Sequence, residues 1–186
     1  MQYELLTTAQ ADEIRSQFEN AFIKTPQEYD ISYKKWLEEY LKTHNIEKTF
    51  PTLDYNEVVY WSKLKSFAEI LFEDAIEFLK EIKNPVYFLS DPYSERNGMN
   101  ILYDKPVGFV ATTNDATAFA EFIYDDWRKL CNLPDDVWID PILPEDLYVF
   151  DDSMKWMLAF THSESDGFPN IAPEALHLFR LCLIIT

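Results

Sequence analysis

The chain reads as an α+β protein in which N-terminal helices pack on a mixed, largely antiparallel sheet. Four observations predict this. The apolar residues of the first half recur at helical spacing, whereas those of the second half fall mostly in short continuous runs. The runs 147–150 and 156–161 are apolar on both faces, as strands inside a covered sheet must be. Between them Asp151-Asp152-Ser153 supplies short polar side chains that bond to local backbone and favour a tight turn. Finally, helices gather before strands instead of alternating with them, which separates this class from a doubly wound fold.

Taken in order, Thr7-Thr8-Ala9-Gln10 spells a capping box, with Ala11, Ile14, Phe18, Ala21 and Phe22 on one helical face behind it. Thr25 as cap, Pro26 at the first helical position and Glu28 three after the cap start a second helix, with Asp30 an equal alternative start. Its stripe is Tyr29, Tyr33, Trp36, Leu37, Tyr40 and Leu41, and Asn45 stops it. Pro51 marks a connector, because proline holds its predecessor extended. From 56 to 82 helical spacing runs through Val58, Trp61, Leu64, Phe67, Leu71, Ala75, Phe78 and Ile82, predicting one long helix that Lys83-Asn84-Pro85 ends.

The run 86–90 predicts a central strand, 91–100 a loop with a tight turn at Asn97-Gly98, and 107–112 a second strand. Thr113 or Asn114 caps a helix whose stripe is Phe119, Phe122, Ile123, Trp127 and Leu130. A proline-bearing connector over 132–144 leads to the paired strands, with Trp156, Leu158 and Phe160 expected beneath the N-terminal helices. An irregular stretch, a helical turn within 174–179 and a closing strand at 181–185 complete the chain. No repeat or dividing linker interrupts it, so one domain over 1–186 is expected.

Charge is the strongest compositional signal. Sixteen Lys and Arg against thirty-three Asp and Glu give −17 over 186 residues. Such a chain repels nucleic-acid phosphates and anionic membrane surfaces and attracts cationic proteins. Acidity also simply keeps a protein soluble. Three scattered glycines cannot build a phosphate loop, and Cys131 and Cys182 form neither a CxxC pair nor a disulfide framework. The N-terminus shows no basic segment followed by an apolar core, and no apolar run is long enough for a membrane span. A cytoplasmic setting is therefore expected.

Two places carry candidate chemistry. Between Leu130 and Met154 there is no Lys or Arg, while Asp135, Asp136, Asp140, Glu145, Asp146, Asp151 and Asp152 supply seven carboxylates. Trp138 and Tyr148 interleave with them, and rings beside carboxylates suit a cationic, partly apolar surface. The same run also reads as a solvated rim at a sheet end. The other place is His162, which leaves the 156–161 strand and is followed by Glu164 and Asp166, so that imidazole and carboxylate could activate a water. A histidine that donates to backbone or to an Asp is the preferred account of that residue. His44, His162 and His177 are not at metal-binding spacing, and no cofactor is expected.

Asp146-Leu147-Tyr148-Val149-Phe150-Asp151, followed after four residues by Trp156 and then by Phe160-Thr161-His162, resembles the closing motif of small bacterial domains of unknown function. The stretches 14–22 and 61–69 are similar to them more loosely. Those domains often carry Thr-His-Glu, whereas this chain has Thr161-His162-Ser163, with the acid displaced to Glu164. Acidic domains of this general kind include immunity proteins that neutralise toxins. The acidic-aromatic window and the lack of a catalytic constellation lead to the expectation of a non-enzymatic interaction protein that captures a cationic partner, and the looser resemblance suggests an immunity protein as its form. The alternative is a small hydrolase using His162 with Glu164 or Asp166.

Overall fold

The computed structural model describes residues 2–45, 47, 55–92, 108–131, 146–160 and 179–183. The helices are α1 (Thr8–Phe22), α2 (Pro26–His44), α3 (Phe72–Glu81) and α4 (Ala116–Cys131). The strands are β1 (Glu4–Leu5), β2 (Ala68–Ile70), β3 (Val86–Ser90), β4 (Val110–Thr113), β5 (Leu147–Asp151), β6 (Trp156–Phe160) and β7 (Phe179–Leu183). They form one sheet in the order β1-β4-β3-β5-β6-β7-β2, and all six pairings are antiparallel. The fold is α+β.

The middle of the sheet is the β5–β6 hairpin, in register from Leu147↔Phe160 to Phe150↔Met157. Its turn is built by Asp151, whose carboxylate accepts from the Ser153 amide at 3.0 Å and from the Ser153 hydroxyl. The Met154 amide closes back on the Asp151 carbonyl at 3.2 Å, with Met154 itself left-handed at φ 51°. The acidic turn expected from the sequence is therefore present.

Strand side chains alternate between faces, and here both faces are covered. Val86, Phe88, Ala111, Leu147, Val149, Trp156, Leu158 and Phe160 share one core with Phe72, Ala75, Ile76 and Leu79 of α3 and Phe119, Ala120 and Ile123 of α4. Leu89, Val110, Tyr148, Phe150, Met157 and Ala159 share the other with Ala11, Phe18 and Phe22 of α1 and with Ile23, Tyr60 and Leu64. The sheet thus lies between α3–α4 and α1. Trp156, Leu158 and Phe160 pack beneath α3, one of the expected N-terminal helices, and beneath α4, while the opposite parity meets the first helix. Alternation separates two sets of residues but does not say which helix covers which.

The expected long helix over 56–82 is replaced. Two 3-10 turns (Tyr55–Glu57 and Tyr60–Lys63) and β2 precede α3, which starts only at Phe72. Tertiary partners take the backbone groups that a helix would have used. The Tyr60 amide donates to the Asp91 carboxylate at 2.7 Å, Lys65 donates to the Phe22 carbonyl at 2.8 Å, and Lys24 to the Lys63 carbonyl at 2.8 Å. Leu64 forms an isolated bridge with Ile23. Helical spacing of apolar residues continued across a segment that packs by other means.

The caps follow the sequence closely. The Gln10 amide oxygen accepts from the Thr7 amide at 3.1 Å and its hydroxyl at 2.7 Å. The Glu28 carboxylate accepts from the Thr25 amide at 2.8 Å, and the Thr25 hydroxyl accepts from the Glu28 amide at 3.3 Å. These Thr25 bonds, backbone before side chain, hold the Glu28 carboxyl below its usual range. At the other end Asn45 is left-handed (φ 53°) and its amide reaches the Leu41 carbonyl. Thr25→Ala is expected to cost about 1 kcal/mol, read as a lower urea midpoint with an unchanged slope. For α4 the cap is Asp115, whose carboxylate accepts from the Ala118 amide at 2.8 Å, one or two residues later than expected. The expected Asn97-Gly98 turn and residues 174–178 of the expected helical turn lie outside the described residues, while Phe179 opens β7, two residues before the strand expected at 181–185.

Candidate functional site

At one end of the sheet β3 ends at Ser90, β5 begins at Leu147 and β6 ends at Phe160, with Ser90 paired to Leu147 and Leu147 to Phe160. Asp91 and Asp146 flank this end, and the Asp91 amide donates to the Asp146 carbonyl at 3.1 Å. Asp91 Oδ2 accepts two bonds, from the Tyr60 amide at 2.7 Å and from the Tyr148 hydroxyl at 2.6 Å. The Tyr60 hydroxyl in turn donates to Glu19 on α1. Beside them Lys63, 1% exposed, donates to the Tyr55 carbonyl at 3.1 Å, its ammonium 4.4 Å from the Tyr55 ring centroid and 5.3 Å from that of Tyr60.

Burial pushes the Lys63 amine below its usual range, and the Asp91 and Glu19 carboxylates act against that push. A lysine lowered beside a carboxylate is the equipment of acid–base chemistry. Here, however, Lys63 and Asp91 are 1% and 2% exposed and Tyr148 is fully buried. A cluster so enclosed satisfies buried polar groups and ties α1, the 3-10 segment and the sheet together.

The predicted interaction residues divide sharply. Asp146, Tyr148 and Asp151 are buried, and Asp152 is exposed at the hairpin turn. Tyr148 is committed to Asp91, and Asp151 to its own turn. Side chains with almost no exposed area offer nothing to a partner, so Asp152 is what the described part of the acidic window presents. Asp135, Asp136, Trp138, Asp140 and Glu145 lie outside the described residues, as do His162, Glu164 and Asp166. Among the described residues no group of three or more His, Cys, Asp or Glu is placed to hold a metal ion. No helix among them is long and apolar enough to cross a membrane.

The feature that sequence reasoning missed is α2. Its stripe reads as a core-facing side, yet along this helix only Tyr29 is buried. Tyr29, Tyr33, Trp36, Tyr40 and His44 form a continuous column of rings, with successive centroids 6.0, 5.8, 5.3 and 4.2 Å apart. Trp36 is 53% and Tyr40 37% exposed. Tyr29 anchors the column, edge-on to Tyr55 at 5.7 Å. One signal was available: the stripe consists chiefly of Tyr and Trp, rings with a polar edge that suit half-wet surfaces, with few aliphatic residues.

Burial raises the Tyr29 hydroxyl above its ordinary 10.0, and neighbouring Tyr33 and Asp30 add to the rise. The unfolded chain therefore loses this proton first, and stability falls as pH climbs through 10.0 towards the folded value. Tyr29→Phe should remove that part of the alkaline loss, seen as a shallower decline in urea midpoint above pH 10.

A shallow cleft of about 520 Å³ lies at the β1 edge, among Gln2, Glu4, Thr112, Thr113, Asn114 and Asp115. Two of its polar groups already serve the fold: the Thr113 hydroxyl donates to the Gln2 carbonyl at 2.8 Å, and Asp115 caps α4. In comparisons with known proteins, the chain matches no family model, no curated protein and no solved structure.

Proposed function

We propose that this chain is a non-enzymatic, acidic protein-interaction module that captures a cationic protein. The observation that carries this reading is the exposed ring column of α2. A helix that only completed a core would turn its aromatic face inward; this one leaves Trp36 half in solvent on a chain of charge −17. Exposed aromatic area of this kind is characteristic of binding surfaces. The charge supplies long-range attraction for a basic partner and accelerates encounter. A toxin-neutralising immunity role is the specific form that the resemblance of 145–164 suggests.

The test is reconstitution. A basic protein captured on the immobilised chain at low salt is identified, purified and mixed back with it, and the complex is measured by sedimentation and calorimetry. A stoichiometric complex whose affinity falls with ionic strength is expected. If only substoichiometric, non-saturating association with basic proteins is found, the reading is rejected.

A further inference from the structure

We infer that α2 is the docking face and that it reads arginine: Tyr33, Trp36 and Tyr40 stack the guanidinium groups of a cationic partner segment. This rests on the reading above and adds to it the surface and the chemistry of recognition. The geometry supplies the first argument. Tyr33, Trp36 and Tyr40 follow one another at three- and four-residue spacing, so their rings form a column, with centroids 5.8 and 5.3 Å apart. Ring faces attract planar cations, and arginine also stacks on them, whereas lysine is a strongly hydrated point charge.

Charge placement gives the second. Asp30 lies three residues before Tyr33 and Glu39 three after Trp36, the spacing at which helix side chains are surface neighbours. A guanidinium stacked on either ring therefore has a carboxylate within reach of its N–H fork. Between Trp36 and Tyr40 the helix rises about 6 Å. Arginines four apart on a partner helix would match that rise, and so would arginines two apart on an extended segment, at about 6.6 Å. Chain charge decides among occupants. A second copy would bring another −17 against the first, while a basic segment is drawn in.

Three peptides of equal length serve as probes: one with arginines at alternate positions, one with lysines in their place, and one with both replaced by glutamine. Each is titrated into the wild type and into the double variant Trp36→Ala/Tyr40→Ala, with far-UV dichroism and melting as controls for folding. The arginine peptide is expected to bind the wild type about tenfold more tightly than the lysine peptide at the same salt. The double variant should lose that preference while keeping its fold, since both side chains are exposed. Equal affinity for the arginine and lysine peptides, unchanged in the variant, would overturn the arginine proposal and leave the acidic-capture reading standing. Failure of both charged peptides to bind would overturn the two together. Tighter binding of the glutamine peptide would reject the role of charge and overturn the proposal. Self-association in sedimentation, abolished by the double variant, would assign the face to a second copy and reject the proposal.

Discussion

Truncating Phe18 to alanine is expected to destabilise the protein by about 3–5 kcal/mol, the range for emptying a fully packed aromatic site. Phe18 has no exposed surface and stands where three parts of the chain meet. Its ring lies 5.4 Å from Phe22 on α1, 5.5 Å from Tyr60 of the 3-10 segment, and 5.5 and 5.0 Å from Tyr148 and Phe150 of β5. Four neighbouring rings fixed by separate elements cannot all collapse into the space left behind, so most of the cavity cost should persist. Phe18→Leu, which keeps most of the volume, should cost less than half as much. Urea unfolding followed by fluorescence reads both. Trp36→Ala is the informative comparison. It removes an even larger ring, yet at an exposed site it should change stability by no more than about 0.5 kcal/mol. If Phe18→Ala cost under 1 kcal/mol, α1 would not be holding the second core as described.

The contrast between Phe18 and Trp36 also shows what was legible in the sequence. Both sit in stripes of helical period, and period alone gives no sign that α1 buries its stripe while α2 exposes most of it. Elements whose signals are local were readable almost to the residue. The 86–90 strand, the Asp151 turn and the Thr7–Gln10 capping box all depend on backbone preferences or bonds spanning a few residues. The segment 56–71 was not readable, because its shape is set by Asp91, Phe22 and Ile23, partners distant in the chain. β1 and β2, at two and three residues, are too short to carry a pattern of their own. The acidic window gave a sound count of charges, but counting does not locate them. Asp146 and Asp151 are drawn under the sheet by the strand ends they terminate, leaving Asp152 outside.

Asp91 is where sequence reading had least to offer and where a single substitution should be most costly to the polar part of the fold. Asp91→Ala is expected to lose about 3–5 kcal/mol, because it strips a partner from buried groups that cannot reach water. The Tyr60 amide and the Tyr148 hydroxyl both lose their acceptor, and the Lys63 ammonium loses the foremost of the two carboxylates that favour its charged form. Asp91→Asn should cost less, since an amide oxygen can still accept one of those bonds. Adding Lys63→Met to Asp91→Ala should recover part of the loss, by removing the charge left behind, and the two changes should therefore be non-additive. The pH dependence has a definite sign. Lys63 is lowered from 10.5 in the folded protein, so the unfolded chain holds its proton more tightly, and stability rises with pH between the folded value and 10.5. Without Asp91 the folded value drops further and that window extends downward. The rise in urea midpoint with pH should therefore set in at a lower pH in the Asp91→Ala protein than in the wild type. The same onset in the two proteins would mean that Asp91 does not govern the charge on Lys63, and its role would reduce to accepting the Tyr60 and Tyr148 bonds.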